Sequence, residues 1–409
     1  MEHKLSRTIE LLEKRQTPLL IRYKAGPGGR PAKQALVYTK NEHSIDPQSI
    51  DYDAAKITRR LQRAGYEAYI VGGAVRDLLL GKNPKDFDIA TSAEPNQIRK
   101  LFRNSRIIGK RFRLVHVFFP QDKIIEVSTF RARDAEGFKN VYGDIEEDAL
   151  RRDFTLNGLY YDPQSGHIVD FTTGVEDIRK NILKPIIPVN KIFIEDPVRT
   201  IRGVKYAVST RSKIPFLLGR KIKKAAPLLA SISTSRLSEE VFKILQGGRS
   251  RETMLALMDY RLFPYLLPQF HDQFTSPGGD ERKASFLRFL EQLDAHVNAE
   301  GEDRRSRFLA YLCADYFYFA SPWKDSKKNV FTPAFQGVKD LIRPVSPANK
   351  EVEQAVLFLI RQRSRVLKTG ILVNTLEREL ETREVDENDK PKKRKRRKRR
   401  RPSQGNLPV

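Results

Sequence analysis

The sequence predicts an α+β protein: a head of mixed sheet and helices, a helical neck and body, and a disordered tail. Two observations carry this. Residues 51–175 alternate amphipathic helical stretches with short runs rich in β-branched and aromatic residues. Beyond them apolar residues recur every three or four positions, the helical period. The expected divisions are an N-terminal extension over 1–50 (helix plus flexible link), a head over 51–185, a neck over 186–260, a body over 261–375 and a tail over 376–409.

Taken in order, residues 1–25 show a short amphipathic helical pattern, and "KAGPGGRPAK" reads as a glycine-containing link. "DYDAAKITRRLQRAG" predicts a helix with Ala55, Ile57, Leu61 and Ala64 near one face, ending at Gly65. "YEAYIVGG" reads as a strand entering a tight glycine turn, "AVRDLLLGK" as a helix, and "DFDIAT" as the next strand. After a helical "PNQIRKLFRN", the stretches "RIIGKRFRLVHVFF" and "KIIEVSTFRA" read as strands, with Pro120 at the turn between them. "LNGLYYD" and a hairpin-like "GHIVDF" follow. "DPVRTIRGVKYAV", "RLSEEVFKILQGG", "ETMLALMDYRLFPYLL", "ASFLRFLEQLDAHV" and "KEVEQAVLFLIRQR" all have helical spacing.

The chain has 409 residues, 76 Lys+Arg against 51 Asp+Glu and a net charge of +25. Charge of this size favours a polyanionic partner, because neutralising phosphates releases counterions. The run "KPKKRKRRKRRR" from Lys390 to Arg401 holds eleven basic residues; subtracting them from +25 leaves +14. By itself such a run fits a nuclear localisation signal, a nucleic-acid arm or a solvated tail. The acidic "ELETREVDENDK" before it shares the composition of disorder. Cys313 is the only cysteine, which excludes a disulfide framework within the chain and makes a reducing cytoplasm the expected setting. The sequence contains no signal-peptide-like apolar segment and no run of about 18 apolar residues, so neither secretion nor a membrane span is expected.

In so basic a chain, the acids of "PKDFD" ask for a reason. On a strand, residues i and i+2 share a face, so Asp86 and Asp88 would stand side by side with Phe87 turned to the core. Paired carboxylates repel unless a proton or cation separates them. Oxygen donors without Cys or His suit Mg²⁺ or Mn²⁺, and Glu126 in "KIIEVSTF" is the candidate third ligand. An exposed strand edge with a solvent-facing Glu126 accounts for the same letters. Gly72 and Gly73, between strand and helix, let backbone N–H groups approach an anion. Arg76, one turn on, presents a planar fork suited to phosphate. A triphosphate held against metal-binding acids is the arrangement of nucleotidyl transfer.

"VGGAVRDLLLG", "KDFDIAT", "EEDALRRDFTLN", "DFTTG" and "EDPVRTIR" follow one another as do the motifs of the bacterial class II nucleotidyltransferases, which the chain resembles from about Asn41 to about Phe270. That superfamily contains the tRNA CCA-adding enzymes and the bacterial poly(A) polymerases. The resemblance implies a polymerase-β-like head and several roles. Asp86 and Asp88 match the metal pair, and Glu126 the third acid. Gly72, Gly73, Arg76 and Asp77 match the phosphate-side turn. Arg151, Arg152 and Asp153 resemble the R-R-D motif, whose Asp recognises ribose and whose Arg contacts phosphate. Asp170 and Gly174 resemble the hinge between head and neck. Glu195, Asp196 and Arg199 match the motif that pairs with the incoming base, and Arg236 and Glu240 look like a helix-stabilising pair. Blander readings coexist: Asp196–Pro197 is also a helix start, Arg151 and Arg152 fit a solvated helix face, and Asp170 and Gly174 fit a plain turn.

Within the superfamily, the stretch Ile107–Val117, "IIGKRFRLVHV", is similar to poly(A) polymerases; CCA-adding relatives more often carry Gly-Thr at Arg113-Leu114 and Glu at Ser235. Three residues depart from the family pattern: Gly158, Gly203 and Lys205. The resemblance thus implies a Mg²⁺-dependent (or Mn²⁺-dependent), template-independent polymerase adding AMP from ATP to RNA 3′ ends. CCA addition to tRNA is the alternative within the class. A non-catalytic RNA-binding protein is the alternative outside it.

Overall fold

In the computed structural model, which describes residues 20–25, 31–109, 113–132, 141–300, 304–323 and 329–373, the described strands form one sheet. They are β1 (Leu20–Ala25), β2 (Pro31–Tyr38), β3 (Ala68–Val71), β4 (Asp88–Thr91), β5 (Ser105–Ile108), β6 (Leu114–Phe118), β7 (Ile124–Thr129), β8 (Leu159–Asp162) and β9 (His167–Asp170). Their order is β1-β2-β9-β8-β3-β4-β7-β6-β5. All neighbours are antiparallel except β4 and β7, whose parallel register sets Ile89 beside Val127.

Both faces of the sheet are covered. Ile70, Ile89 and Val127 join the main core with Ile57 and Leu61 of helix Tyr52–Arg63. Val71, Ala90, Phe130 and Tyr160 form a second cluster with Ile145 and Ala149 of helix Ile145–Leu150. Asp51 caps helix Tyr52–Arg63 by accepting from the Ala54 N–H at 3.0 Å. The buried face of that helix is Ala54, Ile57, Thr58 and Leu61, so the expected Ala55 and Ala64 are replaced by Ala54 and Thr58.

The N-terminal expectation needs correction where the structure describes it. Leu20–Ala25 is a strand, not the end of a helix, and it pairs with β2 in a hairpin. From Pro31 the expected link is itself strand, and Leu36–Tyr38 pair with β9, so these residues extend the head's sheet. The single strand expected across 106–119 is two, β5 and β6, paired with each other. Residues 1–19, the rest of the link at 26–30, Lys110–Phe112 and the whole charged tail lie outside the described residues.

After β9 the described chain is helical. The five expected amphipathic stretches fall on helices Val198–Thr210, Thr234–Leu245, Ser250–Asp259 with Phe263–Leu266, Gly279–Glu300 and Asn349–Thr369. Further described helices, Gly174–Arg179, Ile192–Glu195, Phe216–Ala225, Pro268–Thr275, Arg305–Asp315 and Phe331–Leu341, join them around one continuous apolar core. No described helix is long and apolar enough to cross a membrane.

Candidate active site

A cleft of about 1580 Å³ opens where the head meets the neck. Of the residues singled out as metal or nucleotide contacts, all but Asp86 and Glu195 line it: Gly72, Gly73, Arg76, Asp77, Asp88, Glu126, Arg151, Arg152, Asp153, Asp196 and Arg199.

The glycine turn is built by a backbone that other residues resist. Gly72 has φ +69°, where a side chain is strained, and a Cβ there would stand 3.3 Å from Arg152 Nη1. Helix Gly73–Leu79 starts from this turn. Within it, Arg76 donates from Nε to Asp77 Oδ1 at 2.8 Å and from Nη1 to Asn157 Oδ1 at 2.9 Å. Its guanidinium lies 5.2 Å from the centre of the Tyr206 ring, which Arg202 and Lys205 also approach, at 5.7 and 5.3 Å. Three cations thus converge on one half-buried neck aromatic.

The acids face them. Asp88 opens β4 and Glu126 lies on β7, each one residue before the paired Ile89 and Val127, so the parallel register sets them abreast. Burial on the cleft floor, then the charges of Glu126 and Asp86, push the Asp88 carboxyl up to about 6. The side chain retains an exposed residue's accessible surface because the cleft above it is open, and the neighbouring Glu126 and Asp86 charges disfavour its ionised form. Glu126 is half-buried, with His116 Nε2 at 3.6 Å across the β6–β7 pair. Phe87 packs against the core, as its position between the acids implies.

Asp86 departs from the strand argument. The strand begins at Asp88, and Asp86 sits on the exposed segment before it. Lys85 in that segment donates to the Gln246 carbonyl of the neck at 2.7 Å, and Lys82 to the Ser209 carbonyl at 2.5 Å. These bonds carry the segment across to the neck rather than along the sheet. Among the described residues no three His, Cys, Asp or Glu side chains form a ready metal cage.

The R-R-D segment is organised by a residue that the sequence reading passed over. Buried Asp148 accepts from Arg151 Nε at 3.1 Å, from Arg152 Nη2 at 3.0 Å and from the Tyr160 hydroxyl at 2.7 Å. Burial alone would raise its carboxyl. Arg152, then Arg151 and the Tyr160 hydrogen bond, override it and hold the group at about 2. The signal was present, since Asp148 precedes Arg152 by four residues, one helical turn. Arg151 and Arg152 are therefore anchored at the cleft wall, not a freely solvated face.

Asp153 is buried, with Arg202 Nη2 2.9 Å from its Oδ2 and Asn157 Nδ2 donating to its Oδ1 at 3.2 Å. Arg199, Arg202, Lys205, Tyr206 and Ser209 of helix Val198–Thr210 all line the cleft. Their spacing of three or four makes one polar helical face, a second signal legible in the sequence.

Asp196 serves two partners. Its Oδ1 accepts from the Val198 N–H at 3.2 Å, as the helix-start reading expects, and its Oδ2 accepts from Arg236 Nη2 at 2.7 Å. Arg199 pairs with Glu195 at 3.0 Å. Arg236 and Glu240 have separate partners: the buried Glu240 takes the half-buried Lys205 at 2.5 Å. Asp170 binds its own turn, accepting from Thr172 N at 2.8 Å and Val175 N at 3.0 Å, and a Cβ on Gly174 would meet the Thr155 carbonyl oxygen at 2.2 Å.

The family model described as "Poly A polymerase head domain" matches residues 68–184, and that described as "Probable RNA and SrmB- binding site of polymerase A" matches residues 219–274. Poly(A) polymerase I of Haemophilus influenzae is 38% identical over 312 residues, covering 71% of this chain and 68% of that protein. The chain belongs to the poly(A) polymerase family. Poly(A) polymerase I of Salmonella typhi is 40% identical over 281 residues, which are 64% of this chain and 60% of that one. This chain thus spans about 60% of the Salmonella relative's length. The superfamily tie to CCA-adding enzymes is also present. A crystal structure of the Bacillus stearothermophilus CCA-adding enzyme in complex with CTP superposes with a TM-score of 0.55 at 30% identity, covering 81% of this chain and 82% of that one. The poly(A) polymerase head expected from the motifs is the fold observed.

Proposed function

We propose that this protein is a template-independent polynucleotide adenylyltransferase. It adds AMP from ATP to RNA 3′ ends: the RNA 3′-oxygen bonds to the α-phosphorus, the bond from that phosphorus to the β-phosphate bridging oxygen breaks, and pyrophosphate leaves. The observation that carries this reading is the abreast pair Asp88 and Glu126 facing Arg76, Arg152 and Arg202 in one cleft, in a chain of the poly(A) polymerase family.

The donor set fits a hard divalent ion. Asp88 and Glu126 offer only oxygens, and their mutual repulsion is what a cation would relieve. Mg²⁺ typically takes one or two carboxylates and completes its shell with water and substrate phosphates, for which the open cleft leaves room. Asp88 and Glu126, with Asp86 beside them, would hold Mg²⁺ or Mn²⁺. When bound, the ion supplies Lewis-acid activation of the 3′-hydroxyl and charge neutralisation at the pyrophosphate.

The other roles are those the family resemblance implies, at residues that line the cleft. The Gly72–Gly73 turn with Arg76 and Asp77 holds the triphosphate side, Arg151 and Arg152 add phosphate contacts, and Asp153 orients the ribose end. Asp196 and Arg199 pair with the adenine edge. Asp170 and Gly174 form the head–neck hinge, and the divisions at 185, 260 and 375 delimit the functional parts, with β1 and β2 counted in the head. The buried, solitary Cys313 supports a cytoplasmic setting.

CCA addition to tRNA is the second reading, favoured by the 30% identity to a CCA-adding enzyme. One assay separates them: incubate the protein with Mg²⁺, a generic RNA oligonucleotide, and ATP or CTP separately. Long A-tails on generic RNA are expected. Incorporation restricted to C-C-A on tRNA would overturn polyadenylation, and no incorporation with any substrate would leave only RNA binding.

A further inference from the structure

The residues from Pro197 to Ser238 include no Asp or Glu. Within them, helix Phe216–Ala225 turns Leu218, Gly219, Ile222 and Ala225 inward and leaves its other face outside the cleft. That outer face begins with two apolar side chains that ordinary packing would bury: Phe216 is 77% exposed and Leu217 70%. Ile194, 74% exposed, belongs to helix Ile192–Glu195, which packs against this one and ends at the cleft residue Asp196. The Arg220 guanidinium, one turn along, lies 5.8 Å from the Phe216 ring centre. Lys213, Lys221, Lys223 and Lys224 are also exposed around this helix. Lys223, on the Phe216 side, lines a second cavity of about 440 Å³ together with Arg261, Tyr265 and His271.

An exposed aromatic with a guanidinium beside it, on a stretch of chain that carries cations and no acid, has the chemistry of a base-stacking platform. The ring takes the face of an unpaired base, and the cations take the phosphates on either side. A protein partner seated through Phe216 and Leu217 would need an acidic rim to match this charge, whereas a polynucleotide supplies it at every phosphate. We propose that Phe216 and Arg220 form a stacking platform for an unpaired base of the RNA strand upstream of its 3′ end, outside the catalytic cleft. The proposal rests on RNA being the substrate. It adds that the strand is held at a second place, so that longer single-stranded RNA binds better than a primer long enough only to fill the cleft.

The test is fluorescence anisotropy without ATP, using labelled single-stranded RNAs of about five and about twenty nucleotides, a span set by typical binding-site sizes. Phe216→Ala is expected to weaken the longer RNA about tenfold, within the range for loss of one stacked base, and to leave the shorter one unchanged. Phe216→Tyr keeps the ring and should keep the affinity. Arg220→Ala should weaken the longer RNA and flatten its salt dependence. The KM for ATP should be unmoved in all three variants. Equal affinity of wild type and Phe216→Ala for the longer RNA would sink the platform, as would equal losses in Phe216→Ala and Phe216→Tyr. So would a wild-type dimer in solution that Phe216→Ala abolishes, since the patch would then serve a second copy. Because binding is read without catalysis, a protein that holds RNA in this way but does not extend it overturns the polyadenylation reading and leaves the platform intact.

Discussion

Arg236 donates to Asp196 at 2.7 Å across 40 residues of sequence, tying the start of one neck helix to the mouth of another. Half of the Arg236 side chain is exposed, so the pair contributes little to stability, on the order of 0–1 kcal/mol. Its consequence is positional: Asp196 has one oxygen on Val198 N and the other on Arg236, which fixes how the carboxylate faces the cleft. Arg236→Ala is expected to raise the KM for ATP several-fold while leaving the melting temperature within about 2 °C of wild type. Steady-state kinetics beside a thermal melt check this. An unchanged KM would remove Arg236 from nucleotide positioning.

Asp148 should behave oppositely, as a residue whose loss is felt in stability first. Removing one partner of a buried ion pair typically costs about 3–5 kcal/mol. Asp148→Asn keeps the shape but strands the charges of Arg151 and Arg152, so a loss near the low end of that range is expected. Its folded-state carboxyl is depressed to about 2 from an ordinary 3.8. The stability it adds is therefore present above about pH 4 and fades as pH falls toward 2. Urea titrations of wild type and Asp148→Asn at several pH values should diverge at neutrality and converge in acid. A pH-independent gap would assign the loss to packing instead.

What could be read in the letters was local. The strand–Gly72–helix turn, the acid opening β4 and the polar face of helix Val198–Thr210 each lie within a few residues, where periodicity and turn chemistry decide. What escaped was set by distant partners. Leu20–Ala25 becomes strand because β2 is there to pair with it, and β2 is placed by β9, where Leu36 meets Asp170. Asp86 leaves the strand because Lys85 reaches Gln246 in the neck. No window of sequence contains both ends of such a contact. Asp148 is a different case, since its one-turn spacing from Arg152 was visible all along.

Gly203, a departure from the family's usual helix, has a packing reason. A Cβ there would come within 2.8 Å of Phe154 Cζ, and the Phe154 ring is wholly buried. Gly203→Ala would gain about 1 kcal/mol of helix propensity but would overpack the site, which typically costs about 1–3 kcal/mol. The clash is closer than real Cβ contacts permit, so the net change is expected to be a loss of roughly 1 kcal/mol. Adding Phe154→Leu should recover part of that loss in a double-mutant cycle, because the two sites share one space. Purely additive effects would mean that the ring is not the obstacle.

The last prediction concerns the acid at the centre of the cleft. Asp88 stands beside Glu126 with Asp86 near, and like charges in a partly buried place favour the neutral form. Without metal, the ionised carboxylate is therefore a source of strain on the head, not a support. Asp88→Asn should abolish AMP addition, at least a hundredfold, while the metal-free variant melts at or above the wild-type temperature at neutral pH. Added Mg²⁺ should then raise the melting temperature of wild type and leave that of Asp88→Asn nearly unchanged, because binding to the native state alone stabilises it. Glu126→Gln, which relieves the same repulsion from β7, should match Asp88→Asn in both readouts. A variant that loses activity and also melts lower in the absence of metal would show that Asp88 holds the head together rather than waiting for a cation.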